Sequence, residues 1–328
     1  MDSIVYVSRN KKAGFSIQKV FNTIINSPNN LNHILYEVPC FRANLKSILR
    51  NLKFVFSKRD KNKIYHITGD IHYCILALIG CKTVLTVHDL VLLEKETNKL
   101  KKTIYFTFWY YLPIKLATKV VCISHKTKAE ILKRINKLDI EVITNPVGVN
   151  FRENKKEFNS NEPRILHIGT GWNKNLSNVI RAVKGVSCHL RVIGNVDNSD
   201  LLLLKENKIN YSCGVNLSDN EILEEYKKAD IISFPSFFEG FGMPIIEGQT
   251  IGRAVLTSNI SPMKEIGNDS AQLVNPESVE SIKLGFLELI NNKEYRESLI
   301  SKGLDNVKKY SLEKVVTQYK NIYNQISR

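Results

Sequence analysis

The chain has 328 residues, of which 43% are hydrophobic and 24% charged, so its composition is that of a globular protein with enough length for two domains. The sequence contains neither an apolar run of 18 residues nor an opening apolar segment long enough for a signal peptide, so we expect a cytoplasmic protein. The formal net charge of +15 is uneven, because residues 1–150 hold 24 basic and 10 acidic residues, whereas residues 151–328 hold 23 and 22.

A basic first half is typical of proteins that meet nucleic acid, an anionic lipid surface or an anionic small molecule. A lysine-rich face that is simply exposed to water would give the same excess of basic residues. The six cysteines form no CxxC pair and show no Cys/His spacing of a metal site. Several lie in apolar runs, so we expect free buried thiols and no metal.

In the first half, short apolar runs alternate with helical patterns, the order typical of a parallel α/β sheet. The helix predicted over 41–56 interleaves Arg42, Lys46, Arg50 and Lys53 with leucines, and basic amphipathic helices often lie on anionic membranes. A helix packed on the sheet with its basic face in water explains the pattern equally well. Strands are predicted at 4–7, 34–38, 63–67, 83–90, 120–124 and 140–144, and further helices at 17–25, 100–116 and 124–135.

Candidate ligand-contacting residues lie in or after three of these strands, and ligands of parallel sheets bind at the carboxyl ends of strands. Gly14 would let the main chain approach a ligand, although a plain turn fits as well. His66 and His72 flank a Gly-Asp turn but have too few partners nearby for a metal site. His88 and Asp89 stand at the polar end of the fourth strand.

The second half restarts the alternation after residues 151–163, which are rich in Asn, Lys and Glu and are predicted to link two domains. The first domain is then 1–150, the second 164–308, and residues 309–328 form a closing helix. Lys174 stands at the mouth of a turn from strand to helix, where a lysine can contact a diphosphate.

The most informative stretch is 234–248. It joins an apolar strand, 229–234, through a turn with two glycines to a short helix over 245–253, and such a helix start can bind an anion on its unpaired amides. The stretch also carries Glu239 and Glu247, which can accept hydrogen bonds from sugar hydroxyls. The combination suits a nucleotide sugar, although a buried strand and turn with two surface glutamates would look the same.

Residues 234–247, F-P-S-F-F-E-G-F-G-M-P-I-I-E, resemble the signature F-P-S-x-x-E-G-F-G-x-P-x-x-E of the retaining glycosyltransferases of family 4, within group 1 of the glycosyl transferases. The H-x-x-G-x-x-H-Y run that begins at His66 is similar to runs in members that synthesise surface polysaccharides. The resemblance implies the GT-B fold, α/β with two Rossmann-like domains facing a cleft and a C-terminal helix that crosses back to the first domain. It also implies transfer from a UDP- or GDP-linked sugar to a glycan or lipid-linked acceptor at a membrane surface, with retained configuration and no metal or other cofactor.

The same resemblance implies residue roles. Glu239, Lys174 and His88 are expected to be catalytic, and Glu247 to hold the ribose. Asn173 stands where the family commonly has arginine, so only Lys174 carries over as a phosphate ligand. Further donor contacts are expected from Gly14, Gly169, Val215, Gly240, Phe241, Gly242 and Met243, and acceptor contacts from His66, His72 and Asp89.

Two other functions share some of these features. A sugar-nucleotide epimerase would share the double-Rossmann architecture, but the Glu239–Glu247 spacing belongs to the transferases. A nucleic-acid-binding protein would explain the basic half, yet the sequence has no recognised binding module or basic aromatic groove, so nucleic acid is not expected as a partner.

Overall fold

The computed structural model describes residues 3–13, 16–28, 32–137 and 139–327. The chain divides into two compact units, one formed by Met1–Pro146 with Leu312–Arg328 and the other by Val147–Ser311. Among the described residues, no helix is long and apolar enough to cross a membrane.

The first unit is built on a six-stranded parallel sheet whose strand order is β2-β1-β3-β4-β5-β6. The strands are rich in Val and Ile and mostly buried, as expected where helices cover both faces of a parallel sheet. They are β1 (Ile4–Ser8), β2 (His33–Glu37), β3 (Ile64–Ile67), β4 (Lys82–Val87), β5 (Lys119–Cys122) and β6 (Ile140–Val142).

The helix predicted over 100–116 is present without interruption, as α4, a π-helical stretch (Phe106–Tyr111) and α5 in succession. Phe106 and Leu112, which join these segments, are in the right-handed helical conformation. Pro113 has no N–H to donate to the carbonyl of Trp109, four residues earlier, so the helix continues through it without that hydrogen bond. The helices are α1 (Ser16–Ile25), α2 (Leu45–Ser57), α3 (Val91–Lys95), α4 (Lys99–Tyr105), α5 (Leu112–Leu116) and α6 (His125–Leu132), with a 3-10 helix at His72–Leu78.

The C-terminal helix (Leu312–Ser327) belongs to the first unit, as the predicted crossing back requires. Its Tyr319 and Tyr323 are buried, and the hydroxyl of Tyr323 lies 2.7 Å from Nδ1 of His66 in β3. The last helix is therefore part of the core of the first unit.

The second unit repeats the architecture with a parallel sheet ordered β12-β11-β10-β7-β8-β9. Its strands are β7 (Arg164–Ile168), β8 (His189–Ile193), β9 (Tyr211–Gly214), β10 (Ile231–Phe234), β11 (Ala254–Ser258) and β12 (Gln272–Val274). Its helices are α7 (Leu176–Ala182), α8 (Asn198–Glu206), α9 (Asp219–Lys228), α10 (Met243–Ile251), α11 (Met263–Gly267), α12 (Val279–Asn291) and α13 (Lys293–Asn306). Two helix-covered parallel sheets confirm the predicted α/β fold of two Rossmann-like domains.

Residues 151–163, predicted to be a linker, pack within the second unit. Phe151 is buried with its ring centroid 5.2 Å from that of Tyr226, and Lys156 forms an ion pair with the buried Asp230. The segment is polar overall, and its sequence pattern did not indicate that Phe151 would be buried and hold it against the second unit. The unit accordingly begins at Val147, before the predicted boundary.

Candidate active site

The predicted nucleotide-sugar site begins where β10 turns into α10. A Cβ on Gly248 would come within 2.6 Å of Ile232 Cγ1, so the glycine lets α10 pack closely on β10. Gly242, the N-cap of α10, has no side chain to bond the amides of the first turn. Pro244 has no N–H, and the amide of Ile245 donates to the carbonyl of Gly242 at 3.0 Å. Within the first turn it is therefore the amide of Met243, together with the helix dipole, that favours an anion.

Glu239 is held in the preceding loop by Lys174 and Asn173. Its Oε1 accepts hydrogen bonds from Lys174 Nζ at 2.7 Å and from Asn173 Nδ2 at 3.0 Å. Asn173 Nδ2 also donates to the carbonyl of Phe238 at 2.9 Å, and the carbonyl of Asn173 accepts from the amide of Phe237 at 2.8 Å. Asn173 thus joins two loops where the family commonly carries a cation.

The stem of Lys174 lies against Gly169. This glycine has φ +92°, and a Cβ on it would come within 3.0 Å of Cγ and Cε of Lys174. Lys174 Nζ also lies 4.7 Å from the ring centroid of Phe234, a favourable distance for a cation–π contact. Gly169 therefore contributes to the site by making room for the lysine.

Asn175 fixes the turn beside these residues. It adopts the left-handed conformation (φ 65°), and its buried Nδ2 donates to the carbonyls of Pro235 at 2.9 Å and Pro276 at 2.7 Å. Asparagine tolerates this conformation better than most residues. The loop that bears Glu239 is thereby attached to the start of α7.

Glu247 lies one turn into α10, where its Oε2 accepts a hydrogen bond from the hydroxyl of Tyr226 at 2.6 Å. Tyr226 is fully buried, and burial, followed by the charge and hydrogen bond of Glu247, raises its pKa well above the usual value. The phenol therefore remains a proton donor and fixes the orientation of the carboxylate.

The other residues predicted to bind the nucleotide-sugar donor differ in how far they are buried. Gly240 and Met243 are partly buried, and Val215, which follows β9, is 52% exposed. Phe241 is buried, with its ring centroid 5.8 Å from that of Tyr310. Its side chain therefore belongs to the core, and a donor contact of Phe241 would have to come from its main chain. Gly14 lies outside the described residues.

In the first unit, His88 follows β4 and is largely buried. Its Nε2 lies 2.9 Å from the carbonyl of Thr68, which can only accept, so this nitrogen carries the proton. Burial lowers the pKa of His88 to about 4, so the ring is neutral at pH 7 and its Nδ1 can accept a hydrogen bond.

His72 and Asp89 are close enough to interact electrostatically in the same unit. His72 Nδ1 donates to the carbonyl of Trp109 at 2.8 Å, and burial lowers the pKa of His72 to about 4. Burial raises the pKa of Asp89, whose Oδ1 accepts from the amide of Val91 at 2.9 Å. Neither residue is on the open surface, and His72 supports the main chain of Trp109.

His66 is a core residue. It is fully buried, with Nδ1 2.7 Å from the hydroxyl of Tyr323 and Nε2 2.8 Å from Oγ1 of Thr86. Both ring nitrogens are therefore engaged, and burial lowers the pKa of the ring to about 3. The expectation that His66 contacts an acceptor is inconsistent with this position.

Asn175 has a signal in the sequence, because an asparagine directly before an apolar helix is typical of a turn that needs the left-handed conformation. Tyr226 could not have been found, because its contact with Glu247 depends on how α9 and α10 pack. Within the described part of the chain, no group of three or more His, Cys, Asp or Glu side chains is placed to hold a metal ion.

Two Rossmann-like units, one carrying a lysine and two carboxylates near the start of a helix, have the architecture of the GT-B glycosyltransferases. Residues 150–305 match the family Glycosyl transferases group 1, and residues 5–151 match Glycosyltransferase Family 4. The two matches together cover most of the chain, which belongs to the group 1, family 4-like glycosyltransferases.

Individual relatives are distant. An uncharacterized glycosyltransferase of Methanocaldococcus jannaschii, MJ1178, is 26% identical over 77% of this chain and 72% of its own length. The O-antigen chain mannosyltransferase RfbU of Salmonella typhimurium is 29% identical over 70% of this chain and 65% of its own length. Among solved structures, Anabaena HepE in complex with UDP-glucose covers 99% of this chain and 100% of its own, with a TM-score of 0.79 and 11% identity, which shows a shared fold.

Proposed function

We propose that this chain is a retaining glycosyltransferase that moves a sugar from a UDP- or GDP-linked donor to a glycan or lipid-linked sugar during surface-polysaccharide synthesis. The observation that carries the proposal is the arrangement of Glu239, Lys174 and Glu247 around the open start of α10. Support for the donor class comes from HepE, solved with UDP-glucose, and support for the pathway comes from RfbU, an O-antigen mannosyltransferase.

The proposed donor-binding roles follow from the charge of each group and from its position in the site. The amide of Met243 at the start of α10 and the ammonium group of Lys174 would bind the diphosphate, since both favour negative charge. Glu239 would accept hydrogen bonds from the hydroxyls of the donor sugar, and Glu247, oriented by Tyr226, from those of the ribose. Placed charges of this kind stabilise a leaving diphosphate more in the transition state than in the bound donor.

We further propose a front-face displacement. The acceptor oxygen bonds to the anomeric carbon on the side from which the diphosphate leaves, and the acceptor proton passes to the leaving phosphate oxygen. The new glycosidic bond therefore keeps the configuration of the donor. His88 is assigned to hydrogen bonding with the transferred sugar, for which its neutral ring and accepting Nδ1 are suited. The reaction is proposed to need no metal.

The proposal also places the enzyme at the cytoplasmic face of a membrane. In α2, Leu45 and Leu49 are 72% and 56% exposed, whereas Ile48 and Leu52 pack on the core of the first unit. The exposed leucines lie beside exposed lysines and arginines, a combination that binds anionic lipid.

The test is a panel of nucleotide sugars. Calorimetry with UDP and GDP should show binding of one of them, and the matching nucleotide sugars should release that nucleotide in the presence of an acceptor and EDTA. NMR of the product should show the anomeric configuration of the donor. Absence of binding to both nucleotides would refute the donor assignment, an inverted product would refute the displacement, and loss of transfer in EDTA would refute metal independence.

A further inference from the structure

Trp172 differs from the other aromatic side chains of the second unit. It is 57% exposed, whereas the phenylalanines and tyrosines of that unit are all buried or partly buried in the part of the chain that the structure describes. Tryptophan is one of the largest apolar side chains, so exposing it to water forgoes a large burial free energy. An exposed tryptophan beside a binding site is therefore a candidate for contact with the ligand.

The main chain on both sides of Trp172 is fixed. Thr170 donates from Oγ1 to the carbonyl of Asn195 at 2.7 Å. The residues Trp172–Lys174 form one 3-10 turn, in which the amide of Lys174 donates to the carbonyl of Gly171 at 2.8 Å. The indole therefore projects from a loop that is held at its start and its end, and little further ordering is needed when a ligand binds.

The two residues after Trp172 both bind the carboxylate that is assigned to the donor sugar. Asn173 Nδ2 donates to Oε1 of Glu239 at 3.0 Å, and Lys174 Nζ donates to the same oxygen at 2.7 Å. Three consecutive residues thus supply an aromatic ring, an amide that holds the sugar carboxylate, and the cation assigned to the diphosphate. The order matches a nucleotide sugar, in which the sugar is joined directly to the diphosphate.

An aromatic ring and a carboxylate recognise different parts of a sugar. A pyranose carries hydroxyls around its edge, which a carboxylate can accept from, and C–H groups on its faces, which can pack on an aromatic ring. Epimers differ in the face that a hydroxyl occupies. An axial hydroxyl on the stacked face would be buried against the ring without a hydrogen-bond partner, which is unfavourable.

We propose that Trp172 stacks on the sugar ring of the donor and determines which sugar epimers the enzyme accepts. The inference rests on the proposed function and deepens it, because it assigns sugar specificity to a residue outside the segment 234–247. The diphosphate is assigned to Lys174 and the start of α10, so Trp172 should contribute to the binding of the nucleotide sugar and not to that of the free nucleotide.

Calorimetry with the nucleotide that the protein binds, UDP or GDP, and with its nucleotide sugars tests the stacking. Trp172→Ala should change the affinity for the free nucleotide less than about twofold and weaken the nucleotide sugar about three- to tenfold, the scale of one aromatic contact. Trp172→Tyr keeps an aromatic face and should retain most of the affinity. Leu202→Ala, which truncates an apolar side chain that is 58% exposed in α8, is the matched control and should change neither affinity.

Epimeric donors test the specificity. The probes are UDP-glucose and UDP-galactose, which differ at C4, or GDP-mannose and GDP-glucose, which differ at C2. Trp172→Ala should reduce the ratio of the two affinities at least about threefold, whereas Trp172→Tyr should preserve it. Equal affinities of the wild-type protein for both epimers, or a ratio that Trp172→Ala leaves unchanged, would overturn the role in specificity.

Fluorescence gives a readout that keeps the indole in place. The chain has two tryptophans, Trp109 and Trp172, so the Trp109→Phe variant reports on Trp172 alone. At saturation the nucleotide sugar should change the emission more than the free nucleotide does. The same emission with both ligands, or equal losses of affinity for both in Trp172→Ala, would overturn the inference.

The wild-type titrations separate this inference from the proposed function. Absence of binding to both UDP and GDP refutes the proposed function and the role of Trp172 with it. Nucleotide binding together with an undiminished sugar contribution in Trp172→Ala refutes the role of Trp172 alone.

Discussion

The ammonium group of Lys174 lies 2.7 Å from the carboxylate of Glu239, so the cation assigned to the diphosphate is paired with the carboxylate assigned to the sugar. The two side chains are only 23% and 15% exposed, which limits competition from water. Donor binding must therefore share or replace this ion pair, and the two residues are expected to act as a coupled unit rather than independently.

Lys174→Ala should weaken the binding of UDP or GDP and also lower transfer, because it removes the cation that is paired with Glu239 in the loop before α10. A hydrogen bond to a charged group contributes about 1.5–3 kcal/mol, which corresponds to a loss of roughly 10- to 150-fold in affinity. Calorimetry measures the first effect and initial rates the second. Lys184→Ala, which changes an exposed lysine beyond α7, is the matched control. Unchanged nucleotide affinity in Lys174→Ala would assign the diphosphate to another cation.

Glu247→Gln should weaken nucleotide-sugar binding, whereas Glu239→Gln should mainly lower turnover, each by about 1–3 kcal/mol. Tyr226→Phe keeps the carboxylate of Glu247 but removes the hydrogen bond that orients it, so its effect should be smaller than that of Glu247→Gln. KM and kcat for the three variants give the comparison. Wild-type kinetics in both glutamine variants would refute the site.

Asn175→Ala should destabilise the second unit by about 2–4 kcal/mol, because two buried carbonyls lose their donor and alanine disfavours the left-handed conformation. Asn175→Gly loses the same hydrogen bonds without the conformational cost, so it should be less destabilising by about 1–2 kcal/mol. Urea unfolding measures both variants. If the two variants lose the same free energy of unfolding, the left-handed conformation of residue 175 does not contribute to the loss in Asn175→Ala.

Histidine burial should make stability depend on acid pH. Burial lowers the folded-state pKa of His66 to about 3, below the unfolded value of about 6.5, so the unfolded state binds the proton first. The contribution of His66 is therefore complete above about pH 6.5 and declines by about 1.4 kcal/mol per pH unit as the pH falls toward 3.

His66→Gln should remove that part of the slope. Urea unfolding of the first unit, followed by Trp109 fluorescence in the Trp172→Phe background at pH 7.5, 5.5 and 4.5, compares the variant with its parent. The difference in free energy of unfolding should shrink as the pH falls. A constant difference at all three pH values would show that His66 does not titrate on unfolding.

The protein should bind anionic but not neutral liposomes, and salt should weaken the binding because it screens the charges. Each lysine or arginine near an anionic surface contributes about 1 kcal/mol, so reversing Lys46, Arg50 and Lys53 to glutamate should abolish binding while nucleotide binding persists. Reversal of Lys184, Lys205 and Lys228, three exposed lysines of the second unit, is the control. No binding at low salt would assign the basic residues to a solvated face.

The local sequence determined much of the architecture. Runs of Val and Ile produced the strands, and Ser218 and Glu221, spaced for a capping box, form one at the start of α9. The segment 234–247 located the turn before α10 and its two glutamates. These features were readable because each depends on residues within a few positions of one another, where propensity, capping and turn chemistry act.

The contacts that the candidate site residues make depend on tertiary structure. His66 was expected near an acceptor, but Tyr323, 257 residues further along the chain, fills the space beside it and makes it a core residue. Lys174 and Glu239 are 65 residues apart, and their pairing depends on β7 lying next to β10 in the sheet. Strand order and helix packing bring such residues together, and because no local propensity encodes either of them, the sequence alone could name Lys174 and Glu239 but could not pair them.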